Sequence, residues 1–368
     1  MILIKLLKQL FAGRSVESID DSLATARSAL AANDLVALDH AAKTVLTLQP
    51  DHAEASFYCG LVALNAGRNA EALAAFHTAE AQGATNAELA YHTALCHYAL
   101  GNMASAQTYC ETALKESSDF VKAHHLQAVI ALPGPQYAQV LSEIHQHLKP
   151  ATYLEIGVFQ GRSLVLADAS TAAIGIDPAP DIRVTLGKNA RIHAMTSDTF
   201  FNQHDVLAEF GGRRIEMAFI DGMHHFDFAL RDFAHIERNC ARSAIVLIHD
   251  CYPLDRKTAE RDRITTFWSG DVWRLILALK KYRPDLEIHT IATHPTGLAL
   301  IRNLDPDSRV LSEKMDAIVA ELSATEYGVL DANKREMLNW FPNDWTKIQG
   351  LLKPPAGNLH KDIAIVHL

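Results

Sequence analysis

Two apolar runs end in groups that can bind a cation and move a proton. Met217-Ala218-Phe219-Ile220 stops on Asp221, and His224 follows three residues later. Ser243–Ile248, mostly apolar or β-branched, stops on His249-Asp250. As neighbouring strands, these runs would deliver two carboxylates to the same edge of a sheet. Hard oxygen donors favour Mg²⁺ or Mn²⁺, and a bound imidazole tilts the choice toward Mn²⁺, Fe²⁺ or Zn²⁺. An imidazole beside them can take a proton near neutral pH. Plainer readings exist for each group. Asp221 can cap the helix that begins at Phe226, and His225 can be a packed histidine. His249 and Asp250 alternate at a strand end, which points them to opposite sides, with Asp250 the one expected to reach the site.

The stretch 153–177 supplies the start of the sheet these groups need. Tyr153-Leu154-Glu155-Ile156 is a short apolar run with one acid, and Gly157-Val158-Phe159-Gln160-Gly161 is a glycine turn. Ser163–Ala169 reads as a helix, and Ala173-Ile174-Gly175-Ile176 as a second strand that ends on Asp177. This order is one βαβ unit with a ligand site at the carboxyl ends of its strands. Asp177 stands where a carboxylate can accept both ribose hydroxyls. A dinucleotide site would carry G-x-G-x-x-G, but Glu155 takes the place of the first glycine, so no pyrophosphate turn is written.

Further along, Ile192–Met195 reads as the third strand and Thr196-Ser197-Asp198 as its exit, with Ser197 and Asp198 suited to capping a helix over 199–209. Cys251–Phe267 is polar and charged and is expected to form a mobile cover. A helix over Val272–Tyr282 follows. Leu286–Ile291 and Gly297–Arg302 then form a hairpin through His294-Pro295-Thr296. Trp268, Trp273 and Arg274 lie at helical spacing with Ile276 and Leu277 and read as core. Residues 306–368 read as helices near 308–322 and 333–351.

Residues 19–120 repeat with a period of 34: Gly67 with Gly101, Ala72 with Ala106, Ala79 with Ala113, Phe57 with Tyr91, and Pro50, Ala84 and Ser118 in step. Paired helices with small residues at fixed places resemble tetratricopeptide repeats. Three repeats fit, 19–52, 53–86 and 87–120, the first with Asn33 at the glycine position, and Phe120–Leu132 reads as a capping helix. Such stacks present a concave surface to a protein or peptide, or serve self-association. His40, His52, His77, His92, His97, His124 and His125 suggest no single metal site and read as solvated or capping residues.

Glu155-x-Gly157-x-x-x-Gly161 followed by an acid-ended second strand resembles the class I S-adenosylmethionine (SAM) methyltransferases. The resemblance implies SAM as methyl donor, held by Glu155, Gly157, Gly161, Ser163 and Asp177, with Ser197 and Asp198 as adenine contacts. Asp-Gly-x-His after the fourth strand and His-Asp after the fifth resemble, over roughly 150–303, the metal-dependent sugar O-methyltransferases of the macrocin and cephalosporin-biosynthesis type. That implies Asp221, His249 and Asp250 as metal ligands and His224 as general base. His249 departs from the pattern, since relatives often carry an acid there, and Cys251 stands where catechol-type relatives carry an amide. The expected fold is α/β: a Rossmann-like seven-stranded class I methyltransferase sheet over 133–305, an N-terminal all-α tetratricopeptide-repeat domain over 1–132, and a helical extension over 306–368. The expected acceptor is a hydroxyl of a sugar, glycan or related small molecule. The rival readings are a methyltransferase-fold scaffold and a protein methyltransferase whose repeats recruit the substrate.

Composition sets the remaining limits. The net charge is −9 and neither half of the 368-residue chain is basic, which argues against a nucleic-acid partner. Five scattered cysteines point to a reducing compartment, hence a cytoplasmic location. No run is long and apolar enough to span a membrane. Met1–Phe11 is amphipathic, with Lys5 and Lys8, and reads as a packing helix or as a weak membrane-surface contact.

Overall fold

The computed structural model describes residues 18–353. The Met1–Phe11 segment therefore lies outside the described residues. The chain divides into two compact units, 1–130 and 131–368.

The first unit is a stack of helices: α1 (Ile19–Ala31), α2 (Leu35–Leu48), α3 (Ala53–Asn65), α4 (Asn69–Ala81), α5 (Ala87–Ala99), α6 (Met103–Glu116) and α7 (Val121–Ala131). Ser18, Asp34, His52 and Asn86 each accept a backbone N–H at a helix start, so His52 is a cap. Each helical pair turns on one left-handed residue: Asn33, Gly67 or Gly101. Asparagine tolerates that conformation, which explains its place in the first repeat. Ala72, Ala79, Ala106 and Ala113 are fully buried where helices cross. A Cβ on Gly60 would lie 2.4 Å from the Phe76 ring, so α3 and α4 touch without a side chain between them.

The second unit opens with α8 (Tyr137–Leu148) and is built on one sheet. Its strands are β1 (Thr152–Ile156), β2 (Ala172–Ile176), β3 (Ala190–His193), β4 (Ile215–Ile220), β5 (Cys240–His249), β6 (Glu287–Ile291), β7 (Leu298–Arg302) and β8 (Trp340–Phe341). They lie in the order β3-β2-β1-β4-β5-β7-β6-β8. The first five are parallel, and β7 runs antiparallel to β5 and β6. Between strands stand α9 (Ser197–Gln203), α10 (Val206–Glu209), α11 (Phe226–Asn239) and α12 (Trp273–Tyr282).

Parallel strands covered on both faces are buried throughout, as all five residues of β1 are. Leu154, Ile156, Ala218, Ile220, Val246 and Ile248 face one core with Phe226, Phe233 and Trp273. Tyr153, Met217, Phe219, Ile245 and Leu247 face the other, against Val140, Leu141 and Ile144 of α8 and Ile348 of the C-terminal segment.

Several expectations change. The sheet has eight strands, because Trp340–Phe341 adds a two-residue strand beside β6. That strand breaks the helix expected over 333–351 into Lys334–Met337 and Trp345–Leu351. The segment after the glycine turn is not an α-helix but a single 3₁₀ turn, Leu164–Leu166, since few residues separate Gly161 from β2. β3 sits two residues earlier than expected, set by pairing of Ile176 with His193, and Thr196 rather than Ser197 or Asp198 caps α9.

The connection after β5 is tied down. Lys334 Nζ donates to the carbonyls of Pro253 and Leu254 at 3.2 and 3.1 Å. Ser269 N and Oγ both donate to Thr258 O, and Arg261 pairs with Asp227 at 2.7 Å. The expected mobile cover is thus a strapped loop.

Candidate active site

The carboxyl ends of β1, β2, β4 and β5 lie side by side, and the sheet register places their terminal acids together. Ile156 pairs with Ile220, and Ile220 with Ile248, so Gly157, Asp221 and His249 emerge at one level. Asp221 N donates to Ile156 O at 2.8 Å. A Cβ on Gly157 would lie 2.0 Å from Asp221 O, so only glycine lets the two turns meet.

Asp221, His224 and Asp250 place one ligating atom each within 4.8 Å of one another. His224 Nδ1 lies 3.1 Å from Asp250 Oδ2, and His224 Nε2 lies 3.8 Å from Asp221 Oδ1. His249 Nδ1 lies 3.1 Å from Asp221 Oδ1 and 3.3 Å from Asp250 Oδ2. Asp250 leaves the extended conformation at φ 60°, so the alternation expected at the strand end does not hold and His249 and Asp250 both approach the same group. Asp250 adopts φ 60° and His224 φ 56°, a left-handed conformation that costs about 1–2 kcal/mol for a residue with a Cβ. Strain at two neighbouring polar residues is typical of a functional site.

Thr296, from the β6–β7 turn, completes the group. Its hydroxyl donates to Asp250 Oδ1 at 2.6 Å. That proton being used, Thr296 Oγ1 accepts from His249 Nε2–H at 3.3 Å. The Tyr137 ring stacks on the His249 ring, centroids 3.9 Å apart. Burial alone would lower the His249 pKa, but Asp250 and Asp221 raise it to about 10. Nδ1 is hydrogen-bonded to Asp221 Oδ1 and lies within ion-pair distance of Asp250 Oδ2. Burial pushes the Asp250 carboxyl up, while His224 and His249 overcome this and hold it near the bottom of the carboxylate range. Trp268 stacks on His224 at 5.2 Å with nearly parallel rings and donates to Glu260 O at 2.7 Å.

The glycine turn has its own polar frame. Asp177 Oδ2 accepts from Val158 N and Phe159 N at 2.9 and 2.8 Å, and Oδ1 accepts from Ala179 N at 2.8 Å. With two acceptor positions per oxygen, Oδ1 keeps one for a hydroxyl. Fully buried Glu155 accepts from Tyr153 Oη and Ser163 Oγ, both at 2.7 Å. Burial raises its pKa to about 8. Asp198 is bound by Arg231 through two bonds of 3.2 Å. Burial raises the Asp232 carboxyl to about 7, against a lowering by the nearby Ser197 hydroxyl, and Asp232 lines the same cleft as Asp221, His224 and Asp250.

The structure thus gathers Asp221, His224, His249 and Asp250 at one point, and Glu155, Gly157, Gly161, Ser163 and Asp177 along the adjoining glycine turn. Ser197 and Asp198 are both engaged with α11. Four side chains of the site were not singled out from the sequence, or were read otherwise. Trp273 is core, as expected, whereas Trp268 belongs to the site. Thr296, Tyr137 and Asp232 carry no local signal beyond their nearness to strand ends or to a motif helix.

A family model described as a methyltransferase domain matches residues 154–251, and a tetratricopeptide-repeat model matches residues 63–130. No curated protein matches the chain. Among solved structures, a tetratricopeptide-repeat protein with an unusual peptide-binding site, YrrB, is 18% identical over 37% of this chain and 70% of its own, with TM-score 0.30. Cofactor-bound Rv0187 from MTB is 15% identical over 54% and 95%, with TM-score 0.37. The O-methyltransferase TomG from Streptomyces achromogenes, in complex with SAM, is 16% identical over 45% and 78%, with TM-score 0.36. The chain spans 45% and 53% of two further matching structures. Residues 154–251 therefore belong to the methyltransferase-domain family and residues 63–130 to the tetratricopeptide repeats.

Proposed function

We propose that the chain is a SAM-dependent O-methyltransferase, metal-assisted, acting on a hydroxyl of a sugar, glycan or related small molecule. The observation that carries this reading is the meeting of Asp221, His224 and Asp250 within 4.8 Å beside the glycine turn. Donor chemistry and two orphaned atoms fit a divalent cation. Asp250 Oδ2 and His224 Nδ1 are buried and neither makes an aligned hydrogen bond, although they lie 3.1 Å apart. Asp221 and Asp250, with an imidazole, would hold the cation, whose charge would ease ionisation of a bound hydroxyl.

SAM supplies an already activated methyl group, so the protein's part is positioning and proton removal. Asp177 and the glycine turn would hold the donor, with the open position on Asp177 Oδ1 receiving a ribose hydroxyl. His224 would take the acceptor's proton. Asp250, 3.1 Å from its ring, would stabilise the charge it acquires, and Trp268 would keep the ring in place. Glu155, held by Tyr153 and Ser163, supports the turn from beneath.

The repeats are proposed to bind a protein partner or a second copy of the chain. None of the described helices is long and apolar enough to cross a membrane. The unpaired cysteines suit a cytoplasmic setting.

The test is an acceptor screen read by mass spectrometry, with SAM, Mn²⁺ or Mg²⁺, and a panel of monosaccharides, glycosides and proteins. A single methyl added to a hydroxyl, lost in His224→Gln and suppressed by chelator, is expected. Transfer to protein nitrogen would overturn the O-methyl reading, and transfer indifferent to chelator would remove the metal.

A further inference from the structure

We infer that Asp271 is a positioning residue: it fixes the backbone around His224 and so aims the imidazole proposed to take the acceptor's proton. The inference rests on that role for His224 and adds the residue that holds it in place.

His224 stands in a turn that its own neighbours do not secure. Its backbone is left-handed at φ 56°, and α11 starts at Phe226 with no capping bond from the His225 side chain. The strap after β5 supplies what is missing. Asp271 N donates to His224 O at 3.1 Å, and Asp271 Oδ1 accepts from Phe226 N at 2.7 Å. One residue thus grips the chain on both sides of His225. A carboxylate at a helix start also meets the positive end of the helix dipole. The approach is close. A Cβ on Gly270 would lie 2.0 Å from His224 O, so the strap reaches this carbonyl only because residue 270 is glycine. The same strap lays Trp268 on the imidazole at 5.2 Å. Backbone and ring of His224 are therefore set by one segment.

The Asp271 side chain is buried, and its charge is answered. Oδ2 lies 3.5 Å from Arg261 Nη1 and 3.3 Å from Arg274 Nη1. That hold on Oδ2 leaves Oδ1 for Phe226 N. Arg261 also pairs with Asp227 Oδ1 at 2.7 Å, and Arg274 also donates to Leu322 O and Thr325 O. Both guanidinium groups keep partners when the Asp271 carboxylate is removed, so such a variant is expected to fold. Asp221, which the sequence offers as a cap for this helix, faces His249 and His224 instead.

Diethyl pyrocarbonate is applied to full-length wild type, Asp271→Ala, Asp271→Asn and Gly270→Ala, and acylation of His224 is followed by peptide mass spectrometry. The His224 side chain is 27% exposed, so the reagent reads how firmly the ring is held. Loss of a capping acceptor loosens a helix start by roughly threefold to thirtyfold. The His224 rate is expected to rise by that factor in Asp271→Ala and to rise also in Gly270→Ala. It should stay near the wild-type rate in Asp271→Asn, whose amide oxygen still accepts from Phe226 N. An unchanged rate in Asp271→Ala, or an equal rise in Asp271→Asn, overturns the inference. So does a matching rise at His289 of β6, which would mark loosening of the whole sheet unit. With an acceptor from the screen above, kcat of Asp271→Ala should fall about ten- to a hundredfold at unchanged KM for SAM, and Asp271→Asn should recover it. A raised KM for SAM at wild-type kcat overturns the positioning role. Absence of any methyl transfer overturns the reading of His224 as base, whatever the rates show. Transfer without the rate changes removes Asp271 alone.

Discussion

Thr296 donates its hydroxyl proton to Asp250 Oδ1 at 2.6 Å, and this bond sets the orientation of the His249 ring behind it. Thr296→Val keeps the shape but leaves Asp250 Oδ1 and His249 Nε2 without their partner. Orphaning a buried polar group costs about 1–3 kcal/mol. Loss of a supporting residue of this kind lowers metal affinity or activity roughly 10–100-fold. Thr296→Val should therefore unfold at lower urea and lose turnover, with SAM affinity retained, and Thr296→Ser should recover both. Full turnover in Thr296→Val would show that His249 needs no anchor.

Asp177 links the second strand to the glycine turn through bonds to Val158 N and Phe159 N. Asp177→Asn removes the charge from both bonds and weakens the acceptor left for a ribose hydroxyl. Hydrogen bonds to charged groups contribute about 1.5–3 kcal/mol, or roughly ten- to a hundredfold in affinity. Calorimetric titration should show SAM binding weakened by that factor. Unchanged affinity would move the donor away from this turn.

The parts of the site legible in the sequence are those at strand ends. A buried strand announces itself as an apolar run, and the acid that stops it is conspicuous, so Glu155, Asp177, Asp221 and Asp250 stand out. Their convergence follows from strand order. Thr296 and Tyr137 were hidden because they come from a hairpin turn and a helix start whose approach depends on the tertiary fold. Trp268 was lost to a periodicity argument, since its spacing from Trp273 imitates a helix that begins only at Trp273. The eighth strand is two residues long, too short for any alternation to show. The repeats were legible because 34-residue periodicity is preserved by alanine and glycine at crossings, where nothing larger fits.

Asp232 gives a pH signature. Burial raises its folded pKa to about 7. The folded chain then holds a proton that the unfolded chain releases between roughly pH 4 and 7. Stability from this group falls as pH rises through that window, and the loss is complete above it. Asp232→Asn carries no charge and keeps an acceptor for Ser197. Urea unfolding of wild type and Asp232→Asn at pH 5 and pH 8 should show the variant gaining on wild type at the higher pH, by up to a few kcal/mol. Glu155 titrates in the same direction in both proteins and cancels. Parallel behaviour at the two pH values would mean that Asp232 stays ionised in the folded chain.

Gly60 and Phe76 test the packing of the repeats. The Cβ of an alanine at Gly60 would fall 2.4 Å from a ring carbon of Phe76, which is itself fully buried. Helix propensity favours alanine by about 0.5–1 kcal/mol. Forcing an extra carbon into a filled core costs about 1–3 kcal/mol, so Gly60→Ala should destabilise despite its better propensity. Phe76→Leu should destabilise for the opposite reason, by leaving a gap. Together the two changes should cost less than their sum, with a coupling of about 1 kcal/mol, because the methyl group enters space the ring has left. Native-state hydrogen exchange over residues 53–86 reads this unit separately from the sheet. Simple additivity there would mean that α3 moves away from α4 at little cost, and that glycine is not what holds the two helices together.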